Sequence, residues 1–348
     1  MNVLKLWAAG LCLVSVPLGG AVAADRGDAK VAAAGEAETA HREFVAYGEW
    51  VLALDRAVTP AMNEVRTLSP EWQAATRGGN FVAAEARFLP VLTKAKRAIA
   101  DARQKLAVLP SPDFPTLELA PEIQPAAVKA EMARTLDQLD AVLDSFPPVL
   151  RALARKDMKA AETAMTQMVG SAKTLFRAQE TLAGVWMATL EADDPGREAM
   201  KFEQLFFRSA SRLMTATEHV SLRRRDPVFA ADMLRIADDM DKVIATGNAS
   251  VETGQAKLMA LTLETGADAE GRSAKAILTK SHSAMGMYRD SFAIAGRYSA
   301  ALRTAARRAS QAPLTLDHLN TVMLALRATR VELDAVHTRQ AEVMAGTR

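Results

Sequence analysis

Residues 158–186 read MKAAETAMTQMVGSAKTLFRAQETLAGVW. Within them Ala161, Met165, Met168, Ala172, Leu175, Gln179, Leu182 and Trp186 recur at alternating steps of four and three. Seven residues over two turns keep such a stripe on one helix face, which is the seam of a left-handed helical bundle. Ala, Leu and Met are good helix formers, and no β-branched run interrupts them.

The same period extends in both directions. Upstream, one stripe runs Phe44, Tyr47, Val51, Leu54, Val58, Met62 and Val65, a second Phe81, Phe88, Leu92, Ala95, Ile99, Ala102 and Leu106, and a third Met132, Leu136, Leu139, Leu143, Phe146, Leu150 and Leu153. The first helix is predicted from about Glu38 to Leu68, kinked at Pro60. A restart is expected at Ser69-Pro70-Glu71, where a cap precedes a first-turn proline. A proline-rich connector, Pro110 to Pro125, lacks the amide donors of a helix interior. Downstream, Asp193-Asp194-Pro195-Gly196 marks the expected boundary. Beyond it come stripes through Phe206 to Val220, Phe229 to Val243, Leu278 to Leu302, and Leu319 to Met344.

The chain has 348 residues, beyond the roughly 250–300 at which one core stops growing. Eight stripes in two groups of four therefore predict an all-α fold of two tandem four-helix up-down bundles, over 41–192 and 197–346. Internal duplication is the expected origin. Asp144-Ser145-Phe146 matches Asp290-Ser291-Phe292, and Thr163-Ala164-Met165 lies over Thr321-Val322-Met323. At that last offset the fourth stripe maps onto the eighth position by position. Any two amphipathic helices align in heptad register, so an elongated helical array without a true repeat is the alternative.

Residues 1–23 predict a cleaved signal peptide. Lys5 supplies the charge, Leu6 to Val16 the apolar segment, and Ala21-Val22-Ala23 the cleavage pattern. The apolar run is too short to span a bilayer. Residues 24–40, rich in Ala, Gly and charge, are expected to be a mobile leader. The mature chain is expected to be periplasmic or secreted, without stable membrane insertion. Its lone cysteine, Cys12, would be lost with the signal, which excludes disulfides, thiolate metal sites, cysteine nucleophiles and covalent haem.

Charge is balanced, 43 basic against 41 acidic residues, which argues against nucleic acid as a partner. The one tight basic run, Arg223-Arg224-Arg225, falls where a helix is expected to end, so a C-terminal charge cap competes there with a phosphate or anionic-lipid contact. No nucleophile elbow, phosphate-cradling loop or dinucleotide fingerprint appears, and no enzyme is expected. Glu38 with His41, and Asp334 with His337, have the i, i+3 spacing of dinuclear metal bundles. Further inward glutamates are missing from the stripes except Glu85, so no metal is expected.

Arg330 and His337 fall on the last apolar stripe, and Gln179 is the first-half counterpart of His337. Polar residues in a seam cost stability but fix register. A buried polar layer is one reading of these residues, and an Arg330 that snorkels towards solvent is a second. A pocket between helices, with Arg330 meeting a carboxylate, is a third.

The stretch from Leu150 to Leu182 resembles the last hairpin of small soluble periplasmic b-type cytochromes. The shared features are an apolar helix, an Arg-Lys-Asp turn, and Met158-Lys159-Ala160-Ala161 opening an Ala-rich helix. Over those thirty-odd residues the resemblance implies an up-down bundle. In that family a methionine of the first helix and a histidine late in the last hold haem. Arg177 and Gln179 stand where the first half would need that histidine. In the second half His337 and Met214 are the corresponding residues. The expected role is therefore non-enzymatic binding of a protein partner or small ligand, with no cofactor. Haem or metal binding is the alternative.

Overall fold

The computed structural model describes residues 34–76, 79–188, 190, 194–262 and 269–344. The expected signal peptide and most of the expected leader lie outside them. Among the described residues every regular element is helical, and no strand occurs. The helices are α1 (Ala34–Thr76), α2 (Phe81–Val108), α3 (Pro125–Asp144), α4 (Phe146–Ala154), α5 (Met158–Ala188), α6 (Pro195–Ser221), α7 (Phe229–Thr262), α8 (Ala269–Gln311) and α9 (Leu316–Met344). A single 3₁₀ turn, Pro121–Ile123, interrupts the proline-rich connector.

Most residues of the predicted stripes are buried, the rest of the described ones half-buried. All seven residues of the third stripe, Met132 to Leu153, are buried. The element carrying them is broken once, at Ser145, where Phe146-Pro147-Pro148 starts a new helix with proline in its first turn. Proline is tolerated there because first-turn amides have no intrahelical acceptor. Counting α3 and α4 as one arm gives eight helical arms. The expected restart at Ser69-Pro70 is absent: α1 runs unbroken through Pro60 and Pro70 to Thr76. Its last two turns carry Leu68 and Trp72, both fully buried. Trp72 meets Phe88 and Phe146 edge-on, with centroids 5.2 and 5.0 Å apart. That aromatic burial holds the helix across the proline.

Helix starts carry the expected chemistry. Asn80 caps α2 by accepting the Ala83 amide at 3.2 Å, and Asp157 accepts the Ala160 amide at 3.0 Å in α5. Asp194 caps α6 with Pro195 in its first turn. Thr315 accepts the His318 amide at the start of α9. Each satisfies an orphan first-turn donor.

Cross-helix ion pairs set the directions. Glu64–Lys94 and Glu71–Arg87 run α1 antiparallel to α2. Lys173–Glu218 and Glu180–Arg208 do the same for α5 and α6. Consecutive arms thus alternate in direction. In the second half α6, α7, α8 and α9 pack in order, and α9 returns to touch α6. In the first half α1 lies on α2 and on the connector, where the Tyr47 hydroxyl donates to the Ile123 carbonyl and the Trp50 indole to that of Pro110. The most extensive packing includes that of α5 on α6, across the boundary expected at residues 193–196. One apolar core runs through both halves, from Tyr47 to Val336. No helix among the described residues is long and apolar enough to cross a membrane.

Candidate functional site

Arg330 is the largest charged side chain in the core, fully buried on α9. Its Nη1 lies 2.9 Å from Oε2 of Glu203 on α6, and both side chains are almost completely covered, at 1% and 2% exposure. Its Nε donates to Asp334, one turn on, at 2.8 Å. Asp334 also meets Arg66 of α1 at 3.6 Å. The cluster thereby joins the first, sixth and ninth helices. The guanidinium also stands 6.0 Å over the Phe207 ring, where the negative π face favours a cation.

Two charges this deep persist because each is the other's solvent. Burial alone would lower the Arg330 guanidinium, but Asp334 and Glu203 hold it above its ordinary value. Burial pushes the Glu203 carboxyl upward in spite of Arg330, and the Asp334 charge adds to the rise. Burial, reinforced by the Arg330 and Arg66 cations against the pull of Asp334, drives the His337 imidazole down to about 4. His337 is therefore neutral at neutral pH.

His337, Glu203, Ser291 and Phe292 border a cavity of about 10 Å³, room for about one water. The Ser291 hydroxyl donates to the Met287 carbonyl at 3.0 Å, so it is not aligned on the histidine. Both carboxylates are taken by Arg330, whose guanidinium occupies the place a cation would need. The arrangement is a polar clamp that fixes how three helices register.

Of the sequence-derived candidates, Arg330 and His337 belong to this cluster. Gln179 is fully buried on α5 and is not among the ion-pair partners of Arg330. The Glu38/His41 pair falls outside the described side chains. Glu203 is absent from the sequence candidates because the fifth stripe begins at Phe206. One turn back, three residues earlier, lies Glu203.

A larger opening lies at the other end of α6 and α9. A cleft of about 390 Å³ is bordered by Met158, Met165 and Val169 of α5, Val220 and Arg223 at the end of α6, and Leu316 at the start of α9. Its size is within the range of small-molecule sites. Thr166, Thr217 and Ser221 add hydroxyls, and Glu162 and Glu218 add acids. Glu218 is tied to Lys173 at 2.9 Å. The cleft is built jointly by α5 of the first half and α6 and α9 of the second.

The turn below it is braced from within. Asp226, at 1% side-chain exposure, is gripped by Arg212, whose Nε also reaches Asp232 at 2.7 Å. Arg212 holds the Asp226 carboxyl below the usual carboxylate range despite its burial. Above this brace α6 ends with Arg223 in the left-handed region, φ 54°. The Arg224 amide donates back to the His219 carbonyl at 2.7 Å, a Schellman-type ending that glycine normally serves.

Because α9 runs antiparallel to α6, Met214 and His337 sit at different levels. About eleven residues of α6, roughly 16 Å of helix rise, separate Met214 from Glu203, beside which His337 lies. These two residues do not converge on a common iron.

No family model matches the chain, and no curated protein or solved structure does. The chain thus offers two candidate sites, the Arg330 cluster closed by its own ion pairs and the open cleft between α5, α6 and α9.

Proposed function

We propose that this is an exported, non-enzymatic helical protein that binds a small ligand in the cleft between α5, α6 and α9, acting as a periplasmic carrier, sensor or adaptor module. The observation that carries the reading is the cleft: a mixed apolar and polar opening of about 390 Å³, in the size class of ligand sites. The Arg330 cluster then serves as scaffold. The Lys5 to Ala23 pattern supports export. The ring of α6, α7, α8 and α9, with α9 returning to α6, supports a four-helix bundle over 197–346; a second bundle over 41–192, related to it by duplication, completes the proposal.

Native mass spectrometry of protein purified from the envelope fraction tests the binding role. Release of a bound small molecule on denaturation, or a thermal shift with members of a metabolite panel, is the expected outcome. Protein that is ligand-free and shifted by nothing, while co-purifying with a stoichiometric protein partner, would move the reading to a docking protein. A Soret band in the same preparation would favour haem instead.

A further inference from the structure

We infer that the cleft takes a single-chain anionic amphiphile, with its chain on the Met158–Met165–Val169–Val220–Leu316 floor and its charged head at Arg223. This deepens the ligand-binding reading and rests on it.

Three observations converge on that chemistry. First, the floor is apolar and adaptable. Methionine thioethers conform to flexible chains, and Met158 is 66% exposed at the mouth. Second, positive charge is segregated here in a chain that is otherwise balanced. Arg155, Lys156 and Lys159 flank Met158, and Arg223, Arg224 and Arg225 follow α6, all of them exposed. None of the six makes a side-chain ion pair or hydrogen bond among the described residues; on the shafts of α5 and α6, Lys173, Arg208 and Arg212 are engaged and Arg177 is not. Nearby acids are mostly committed: Glu218 to Lys173, Asp226 to Arg212, and Asp157 to the cap of α5. Glu162 remains as a wall acid, so a dianion would fit less well than a monoanion. Third, α5 and α9 both begin at the cleft, with Met158 and Leu316 as their first residues. The positive ends of these two helix dipoles face it, beside the negative end of α6, which Arg223 follows.

Arg223 itself is held at φ 54°, in the left-handed region that glycine normally serves. Asp226 and Arg212 fix the turn that presents it.

The test uses the whole mature chain with ¹³C-methyl-methionine labelling. Dodecanoate is titrated below its micelle concentration, beside dodecanol and butyrate. Saturable shifts of the Met158 and Met165 methyls are expected with dodecanoate, with much weaker binding of the other two. Arg223→Asn, which suits the left-handed backbone, should weaken dodecanoate at least about tenfold by removing a charge-assisted contact. Its effect on dodecanol should be small. Thr166→Trp, which fills the cleft, should abolish both, with circular dichroism confirming the fold of each variant. Equal binding of dodecanol and dodecanoate, or an unchanged affinity in Arg223→Asn, would overturn the anionic head while leaving a ligand cleft. Binding to phosphatidylglycerol vesicles without any response to monomeric dodecanoate would overturn the amphiphile site itself. No saturable shift with any probe would overturn the inference, and ligand release in native mass spectrometry would still judge the broader binding role.

Discussion

Arg330 shows how one residue can look like a ligand site in sequence and be a strut in the fold. A cation on an apolar stripe needs a counter-charge, and Glu203 supplies it at 2.9 Å. Arg330→Met leaves Glu203 buried and unpaired, which should cost about 3–5 kcal/mol in urea unfolding. Adding Glu203→Leu should recover most of that loss, because an apolar pair needs no counter-charge. A site with a binding role would gain nothing from the second change. His337 gives a pH signature. Its folded value is about 4 against an ordinary 6.5, so between those values the unfolded chain holds the proton more tightly. Its contribution is full above pH 6.5 and is lost as pH falls towards 4, by at most about 3 kcal/mol. Glu203, raised in the fold, acts with the opposite sign above its ordinary 4.5. The difference between wild type and His337→Gln isolates the histidine: it should shrink as the pH drops from 7 to 4 in thermal melts. A pH-independent difference would show that the imidazole titrates normally.

At the scale of elements, the heptad stripes were legible because burial needs only one face and a steady period. The break in the third arm was not legible from its stripe, since Phe146 continues the apolar register across Ser145. The restart expected at Ser69-Pro70 failed for the converse reason: Leu68 and Trp72 bury enough apolar surface to keep α1 in one piece. The cleft was hidden because its walls come from three helix ends far apart in sequence; the run Arg223–Arg225 was its one visible trace. Helix glycines separate packing from propensity. A Cβ at Gly247 would fall within the Phe292 ring, whereas one at Gly170 meets nothing. Gly170→Ala should stabilise by about 0.5–1 kcal/mol. Gly247→Ala should destabilise by about 1–3 kcal/mol, since overpacking outweighs the propensity gain. Paired urea midpoints check both, and a stabilising Gly247→Ala would mean α7 and α8 lie further apart than described.

The whole molecule turns on the junction of its halves. Sequence separates them at residues 193–196, yet α5 packs along α6, Arg66 of α1 reaches Asp334 of α9, and one apolar core spans both sides. The cleft also needs walls from both halves, so the binding proposal depends on their acting as one body. Tryptophan placement makes this measurable. Trp50, Trp72 and Trp186 all lie before the junction, so their fluorescence reports the first half, while dichroism at 222 nm reports every helix. Urea unfolding of the mature chain should give superimposable curves with one midpoint by both probes. A fluorescence transition displaced from a biphasic dichroism curve would contradict the shared core, and with it a site built between the halves.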